Sequence, residues 1–126
     1  MKKDDAQEIA YNADNMNLEE LLVAYTEFQK IVNNTPNHCP EQTQEWQDGL
    51  HAAMGLVTES GEILDAYKKE MYGKRKPIRP DNIREECGDI IYYLNALMNA
   101  YKLTFKDAVK DNVVKLANRY LDKFEV

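Results

Sequence analysis

Two long segments of helical apolar periodicity dominate this chain, and each carries a pair of acids where charge is not expected. One segment contains Gly55-Leu56-Val57-Thr58-Glu59-Ser60-Gly61-Glu62, the other Glu85-Glu86-Cys87-Gly88-Asp89-Ile90-Ile91-Tyr92-Tyr93. Glu59 and Glu62 are three residues apart, as are Glu86 and Asp89. On a helix, residues i and i+3 are surface neighbours with Cβ atoms roughly 5–6 Å apart. Each pair is a two-carboxylate clamp, and two such helices side by side would bring four carboxylates together. Two unit charges ~4 Å apart cost ~4 kcal/mol at an effective dielectric near 20. Protonation, a basic partner or a metal ion must offset that. Hard divalent cations prefer oxygen ligands, and Mg²⁺ commonly bridges carboxylates and substrate phosphates. A lone Glu-x-x-Glu is more often a solvated edge. Two of them in adjacent helices point to a magnesium site that handles a phosphorylated substrate.

The rest of the chain reads as an all-α fold with a four-helix core, its helices at about 17–34, 41–72, 81–101 and 104–124. Residues 1–16 are polar and weakly patterned, which suits a flexible arm or a short helix. Asn17 is the expected N-cap of the first core helix, with Leu18, Leu21, Leu22, Tyr25, Phe28, Gln29 and Val32 forming its stripe. In the second, Trp46, Leu50, Ala53, Met54, Val57, Leu64, Tyr67 and Met71 are apolar. Asp48, Ala52, Gly55, Glu59, Glu62 and Ala66 share another face at 100° per residue, and the small residues there leave room for a ligand. Gly73-Lys74-Arg75-Lys76-Pro77-Ile78-Arg79-Pro80 breaks the pattern and holds four of the sixteen basic residues. It lies between the acidic clamps, so Lys74 and Arg75 are candidates for gripping phosphate.

Asp81 is the expected N-cap of the third helix, whose stripe is Ile83, Cys87, Ile90, Ile91, Leu94, Leu97 and Met98. Thr104-Phe105-Lys106-Asp107 resembles a capping box with Asp in place of Glu. The last helix is expected to bury Phe105, Val109, Val113, Leu116, Tyr120 and Phe124. Asn112, Lys115 and Arg119 flank that stripe. They supply the donors that a site holding metals and phosphates needs opposite its carboxylates.

A net charge of −6 argues against a surface made for nucleic-acid polymers. It leaves an anionic small substrate open, because bound cations reverse the local sign. The two cysteines, Cys39 and Cys87, suggest free thiols in a reducing compartment. His38 and Cys39 form half of a zinc set, but no other part of the chain supplies the remaining ligands. No apolar run approaches the roughly 20 residues needed to cross a membrane. The charged start Met1-Lys2-Lys3-Asp4-Asp5 is not followed by the apolar stretch of a signal peptide.

Gly55-Leu-x-x-Glu59-x-Gly-Glu62, Glu86-x-x-Asp89 before Ile90-Ile91-Tyr92-Tyr93-Leu94, and Asn112-x-x-Lys115-Leu116-x-x-Arg119-Tyr120 together strongly resemble the MazG-like nucleotide pyrophosphohydrolases, the all-α NTP pyrophosphatase superfamily. The 23 residues between Glu62 and Glu86 suit a helix–loop–helix connection. The resemblance covers about residues 18–121 and implies a four-helix core that assembles as a dimer or a dimer of dimers, with active sites near the protomer interface. It implies Mg²⁺, with Mn²⁺ as a substitute, held by Glu59, Glu62, Glu86 and Asp89, and hydrolysis of an NTP or dNTP to the monophosphate and pyrophosphate. Asn112, Lys115 and Tyr93 match family positions that contact phosphate or sugar. Trp46 and His51 sit where members place base-contacting residues. The short single-domain form looks like phage or bacterial members acting on deoxynucleotides, which favours dGTP over dCTP, dUTP or a non-canonical nucleotide. It also implies the cytoplasm of a bacterium or a phage-infected cell.

Two other readings compete. A di-iron carboxylate bundle uses Glu-x-x-His on two helices, and neither His38 nor His51 lies three residues after a helical Glu. A non-catalytic helical dimerisation module would leave the acids as solvated edges.

Overall fold

The computed structural model describes residues 1–32, 41–73 and 76–123, all of whose regular elements are helical. The His38–Cys39 loop lies outside the described residues. Helix α1 (Lys3–Asn12) runs into a 3₁₀ turn, Ala13–Asn15, so the polar start holds the short helix rather than a structureless arm. Helix α2 (Leu18–Val32) begins at the expected cap. The Glu20 N–H donates to Asn17 Oδ1 at 2.9 Å, and the Glu20 carboxylate accepts from the Asn17 N–H at 3.4 Å.

Helix α3 (Gln44–Met71) is capped by Thr43, whose hydroxyl oxygen accepts from the Trp46 N–H at 3.1 Å. It ends where Gly73 takes φ +66°, the left-handed conformation that glycine adopts without a Cβ penalty. The Gly73 N–H closes on the Glu70 carbonyl at 3.0 Å. Glu70 also reaches forward, accepting from the Ile78 N–H at 3.2 Å and tying the connecting segment to α3.

Helix α4 (Pro80–Ala100) corrects one expectation: Asp81 is not its cap. Proline at the first helical position fixes φ and lacks the N–H that would go unpaired there anyway, so the helix starts a residue earlier. Asn82 accepts from the Arg79 N–H at 3.3 Å, and Asp81 pairs with Arg84 at 3.2 Å. Helix α5 (Phe105–Arg119), followed by a 3₁₀ turn at Leu121–Lys123, keeps the expected capping box: the Asp107 N–H donates to Thr104 Oγ1 at 3.2 Å, and the Thr104 N–H donates to Asp107 Oδ2 at 3.0 Å.

Helices α3 and α4 form an antiparallel hairpin, with Gly49 against Tyr101 and Gly55 against Tyr93. Helix α2 lies along α4 in the same direction, because the Tyr25 hydroxyl donates to the Gly88 carbonyl at 3.3 Å and Gln29 Nε2 donates to the Tyr92 carbonyl at 3.0 Å.

One burial expectation is overturned, and the α3–α4 contact is made by small residues rather than large ones. The face of α3 that packs on α4 is the small one, with Gly49, Ala52 and Gly55 buried and Ala52 at 0% exposure. The large apolar positions Val57 and Leu64 are 73% and 70% exposed. A helix pair in close approach selects small residues, which apolar counting underweights. The last helix does not bury its stripe either. Phe105 is half-buried, but every residue from Lys106 to Arg119 is exposed, Val113 at 60%; Tyr120 is exposed and Phe124 lies outside the described residues. Among the described residues, no helix is long and apolar enough to cross a membrane.

Candidate functional site

The antiparallel hairpin brings the two acidic clamps face to face. One carboxylate oxygen each from Glu59, Glu62 and Glu86 lies within 4.8 Å of the others. Asp89 stands outside that triplet, yet its charge acts on both Glu59 and Glu86. Burial lifts the Glu59 carboxyl above its ordinary 4.5, and the charges of Glu62 and then Asp89 lift it further. Burial likewise leads the rise at Glu86, followed by Glu62, Glu59 and Asp89. Both groups are raised by other acids, and among the described residues no cation enters on the other side.

Glu86 Oε2 is buried with no hydrogen-bond partner. A buried carboxylate oxygen normally finds a donor, and leaving it unpaired costs about 1–3 kcal/mol or more for a charged group. Three converging hard oxygens, with an unpartnered oxygen on the Glu86 carboxylate, fit a divalent cation such as Mg²⁺.

Two expectations follow for the free protein. Saturating Mg²⁺ or Mn²⁺ should raise its melting temperature, because a ligand that binds only the folded state adds about 2.7 kcal/mol at 100 times its Kd. Calorimetry with and without metal reads this, and Glu62→Gln should blunt the gain. The pH dependence has a fixed sign. Glu59 and Glu86 titrate higher folded than unfolded, so the folded state holds more protons above pH 4.5. Their contribution is full below about 4.5 and is lost as pH rises through the raised folded values. Metal should flatten that slope, and a metal-independent slope would count against the site.

Tyr93 sits beside the acids but does not stand free. Its ring fills the space over Gly55, so the gap expected for a ligand at this glycine is occupied by the chain itself. The ring lies 6.4 Å from His51 and 5.4 Å from Tyr92, centroid to centroid. His51 and Tyr93 therefore belong to one neighbourhood. Trp46 is in the first turn of α3 and exposed, without an aromatic contact among the described residues. Asn112, Lys115 and Arg119 are exposed on α5, and Lys115 and Arg119 make no ion pair among the described residues. Lys74 and Arg75 lie outside the described residues.

Sequence reasoning passed over two features. Tyr25 hydrogen-bonds to the backbone behind the acids, and burial and then the charge of Asp89 raise its hydroxyl above the ordinary 10.0. The second is a polar cleft of about 490 Å³ where Gln29, Asp48 and Asn99 meet. Asn99 Nδ2 donates to Thr26 Oγ1 at 2.9 Å, and the nearly buried Asn95 donates to the same oxygen at 3.4 Å. From Asp48 to Glu59 the helix rises roughly 16 Å, so the cleft lies about three helical turns from the acids. The visible signal was Gln29, a polar residue within an otherwise apolar stripe, and Asn95 with Asn99 one turn apart.

Comparison with known proteins places the chain among nucleotide-cleaving relatives by sequence. A family model described as the MazG nucleotide pyrophosphohydrolase domain matches residues 47–124. The Gene 37 protein of Mycobacterium phage L5 is 33% identical over 76 residues, covering 57% of this chain and 67% of that protein. No solved structure matches the chain.

Proposed function

Because the chain belongs to the MazG nucleotide pyrophosphohydrolase family, we propose that it cleaves a nucleoside or deoxynucleoside triphosphate to the monophosphate and pyrophosphate at the Glu59–Glu62–Glu86 cluster. The observation that carries this reading is the convergence of three carboxylates, one of which, Glu86, holds a buried oxygen with no hydrogen-bond partner. Glu59, Glu62 and Glu86, with Asp89 beside them, would hold the divalent cation. A bound Mg²⁺ or Mn²⁺ supplies charge neutralisation and Lewis-acid polarisation of the phosphate oxygens.

The chain's own work is positioning and proton handling, since phosphoryl transfer asks little covalent chemistry of a protein. Water adds its oxygen to one phosphorus, the bridging P–O bond breaks, and pyrophosphate leaves with the bonding pair. A carboxylate of the cluster takes the proton that water gives up. The nucleoside extends from the cluster past Tyr93 and His51 towards the amide-lined cleft. Trp46 closes over the base, Asn112, Lys115 and Arg119 bind phosphate, and Lys74 and Arg75 add charge from the α3–α4 connection.

Among substrates, dGTP is the first choice, with dCTP, dUTP and non-canonical nucleotides behind it. The work is done in the cytoplasm of a bacterium or an infected cell, by a homodimer or homotetramer. The test is a panel of NTPs and dNTPs with Mg²⁺, resolving monophosphate from diphosphate product. Monophosphate plus pyrophosphate, lost on chelation, is expected. Diphosphate plus orthophosphate, or no turnover of any nucleotide, overturns the reading and favours the non-catalytic module.

A further inference from the structure

We infer that Tyr25 is a positioning residue for the acidic cluster: its hydroxyl grips the turn of α4 that carries Glu86 and Asp89 and holds those acids towards Glu59 and Glu62. This rests on the metal-holding role proposed above. The Tyr25 hydroxyl donates to the Gly88 carbonyl at 3.3 Å, and Gly88 stands between Glu86 and Asp89 in the chain. The hydroxyl lies over this residue, since a Cβ added at Gly88 would come to 4.0 Å from it. The charge of Asp89 reaches the same hydroxyl and is, after burial, the second cause that lifts it above 10.0. Four residues further along both helices the arrangement repeats, with Gln29 Nε2 donating to the Tyr92 carbonyl at 3.0 Å. A four-residue step keeps both donors on one face of α2 and both carbonyls on one face of α4. Together the two bonds fix how α4 is slid and rotated against α2.

Where the hairpin is buried explains why this turn needs a grip. On α3 the buried residues are Gly49, Ala52 and Gly55, all before Glu59. On α4 they are Asn95 and Met98, both after Asp89. The antiparallel pair is therefore packed most closely on one side of Tyr93, and the acids lie on the other. There Glu59, Glu62 and Glu86 bring oxygens within 4.8 Å of one another, and their like charges push the two helices apart. A cation site needs the opposite, a ligand set held together before the ion arrives. Helix α2 supplies that restraint through Tyr25.

The ring of Tyr25 has a separate task. It meets Tyr92 edge to face, with centroids 5.3 Å apart and planes at 79°. Phenylalanine keeps that contact and removes only the hydroxyl, so the two tasks can be taken apart.

The experiment compares Tyr25→Phe with Ala24→Gly. Ala24 is buried on α2 beside Tyr25, and glycine there loosens the helix while leaving the hydroxyl in place. Mn²⁺ affinity is read on nucleotide-free protein from the paramagnetic resonance signal of the free ion, at a temperature where circular dichroism shows each variant folded. Tyr25→Phe is expected to weaken Mn²⁺ binding about 10-fold, the low end of what losing a partner behind a metal ligand costs. The Mg²⁺ concentration for half-maximal turnover should rise in step, with kcat at saturating Mg²⁺ unchanged. Ala24→Gly should melt lower than wild type and keep wild-type Mn²⁺ affinity.

Equal loss of affinity in the two variants would make the hydroxyl a prop of the fold alone and overturn the inference. So would a Tyr25→Phe chain that binds Mn²⁺ as the wild type does. Either result leaves the proposed activity standing. A wild type that binds no Mn²⁺ defeats the metal site and the inference with it. A wild type that binds Mn²⁺ but cleaves no nucleotide defeats the proposed activity, and the Mn²⁺ comparison still decides the role of Tyr25.

Discussion

Glu86→Gln is expected to lower nucleotide turnover by at least about 10²–10³-fold while raising the melting temperature of the metal-free protein. The two effects have one cause. Glu86 is pressed between Glu62, Glu59 and Asp89, and its Oε2 has no donor. An amide of the same shape removes one charge and places an N–H where Glu62 can accept it. Relieving one like-charge contact in a partly solvated site is worth on the order of 1 kcal/mol, or about 2–5 °C in a domain of this size. The same change removes a hard anionic ligand, which an amide oxygen replaces poorly when a dication must be held. Glu59→Gln should behave alike and more mildly in stability. Circular dichroism melts in EDTA and steady-state rates with Mg²⁺ read the two sides separately. A variant that loses activity because it unfolds would miss this pattern, and so would one that melts higher but still turns over at the wild-type rate.

The opposite signs matter because they separate a site from a scaffold. Acids kept for the fold would be paired, and removing them would destabilise. Among the described residues no cation pairs with these acids, so the cluster is a standing cost to the free chain. Such a cost is expected where a ligand supplies the missing charge.

Much of this was legible before any coordinates. Acids three apart in two apolar-periodic segments, joined by a Gly- and Pro-containing connection, led to a hairpin with facing clamps, and the hairpin forms. Asn17 and Thr104 cap as their types suggest. What misled was size. Trp46, Leu50, Val57 and Leu64 look like core because they are large, yet α3 meets α4 through Gly49, Ala52 and Gly55. Helical periodicity reports that a stripe will be covered and is silent about which chain covers it, so α5 was assigned to a core that it does not enter. The polar group of Gln29, Asn95 and Asn99 escaped because its members lie on two helices and look like unremarkable amides one at a time. Only tertiary packing shows that Asn99 donates to both Thr26 and Gln29, the latter at 3.4 Å.

Gly55→Ala should be among the most destabilising conservative changes in this chain, and Gly61→Ala should stabilise it. The contrast isolates packing from helix propensity, since both glycines lie inside α3. Replacing Gly by Ala in a helix interior gains up to about 1 kcal/mol from propensity alone. At Gly61 an added Cβ meets nothing within 4 Å, so that gain should appear in full. At Gly55 the added Cβ would collide with three atoms of the Tyr93 ring. The clashing atoms include Cγ and Cδ1, near the root of the side chain, so relief asks the ring or the α3–α4 contact to move. Overpacking of this kind typically costs 1–3 kcal/mol, and backbone separation adds to it, so a net loss of about 2–4 kcal/mol is expected. Urea denaturation of the two single variants measures both signs. Tyr93→Leu on the Gly55→Ala background should recover much of the loss, because the smaller side chain vacates the space. Equal effects at the two glycines would mean that Tyr93 does not rest on Gly55, and the placement of the ring beside the acids would fall with it.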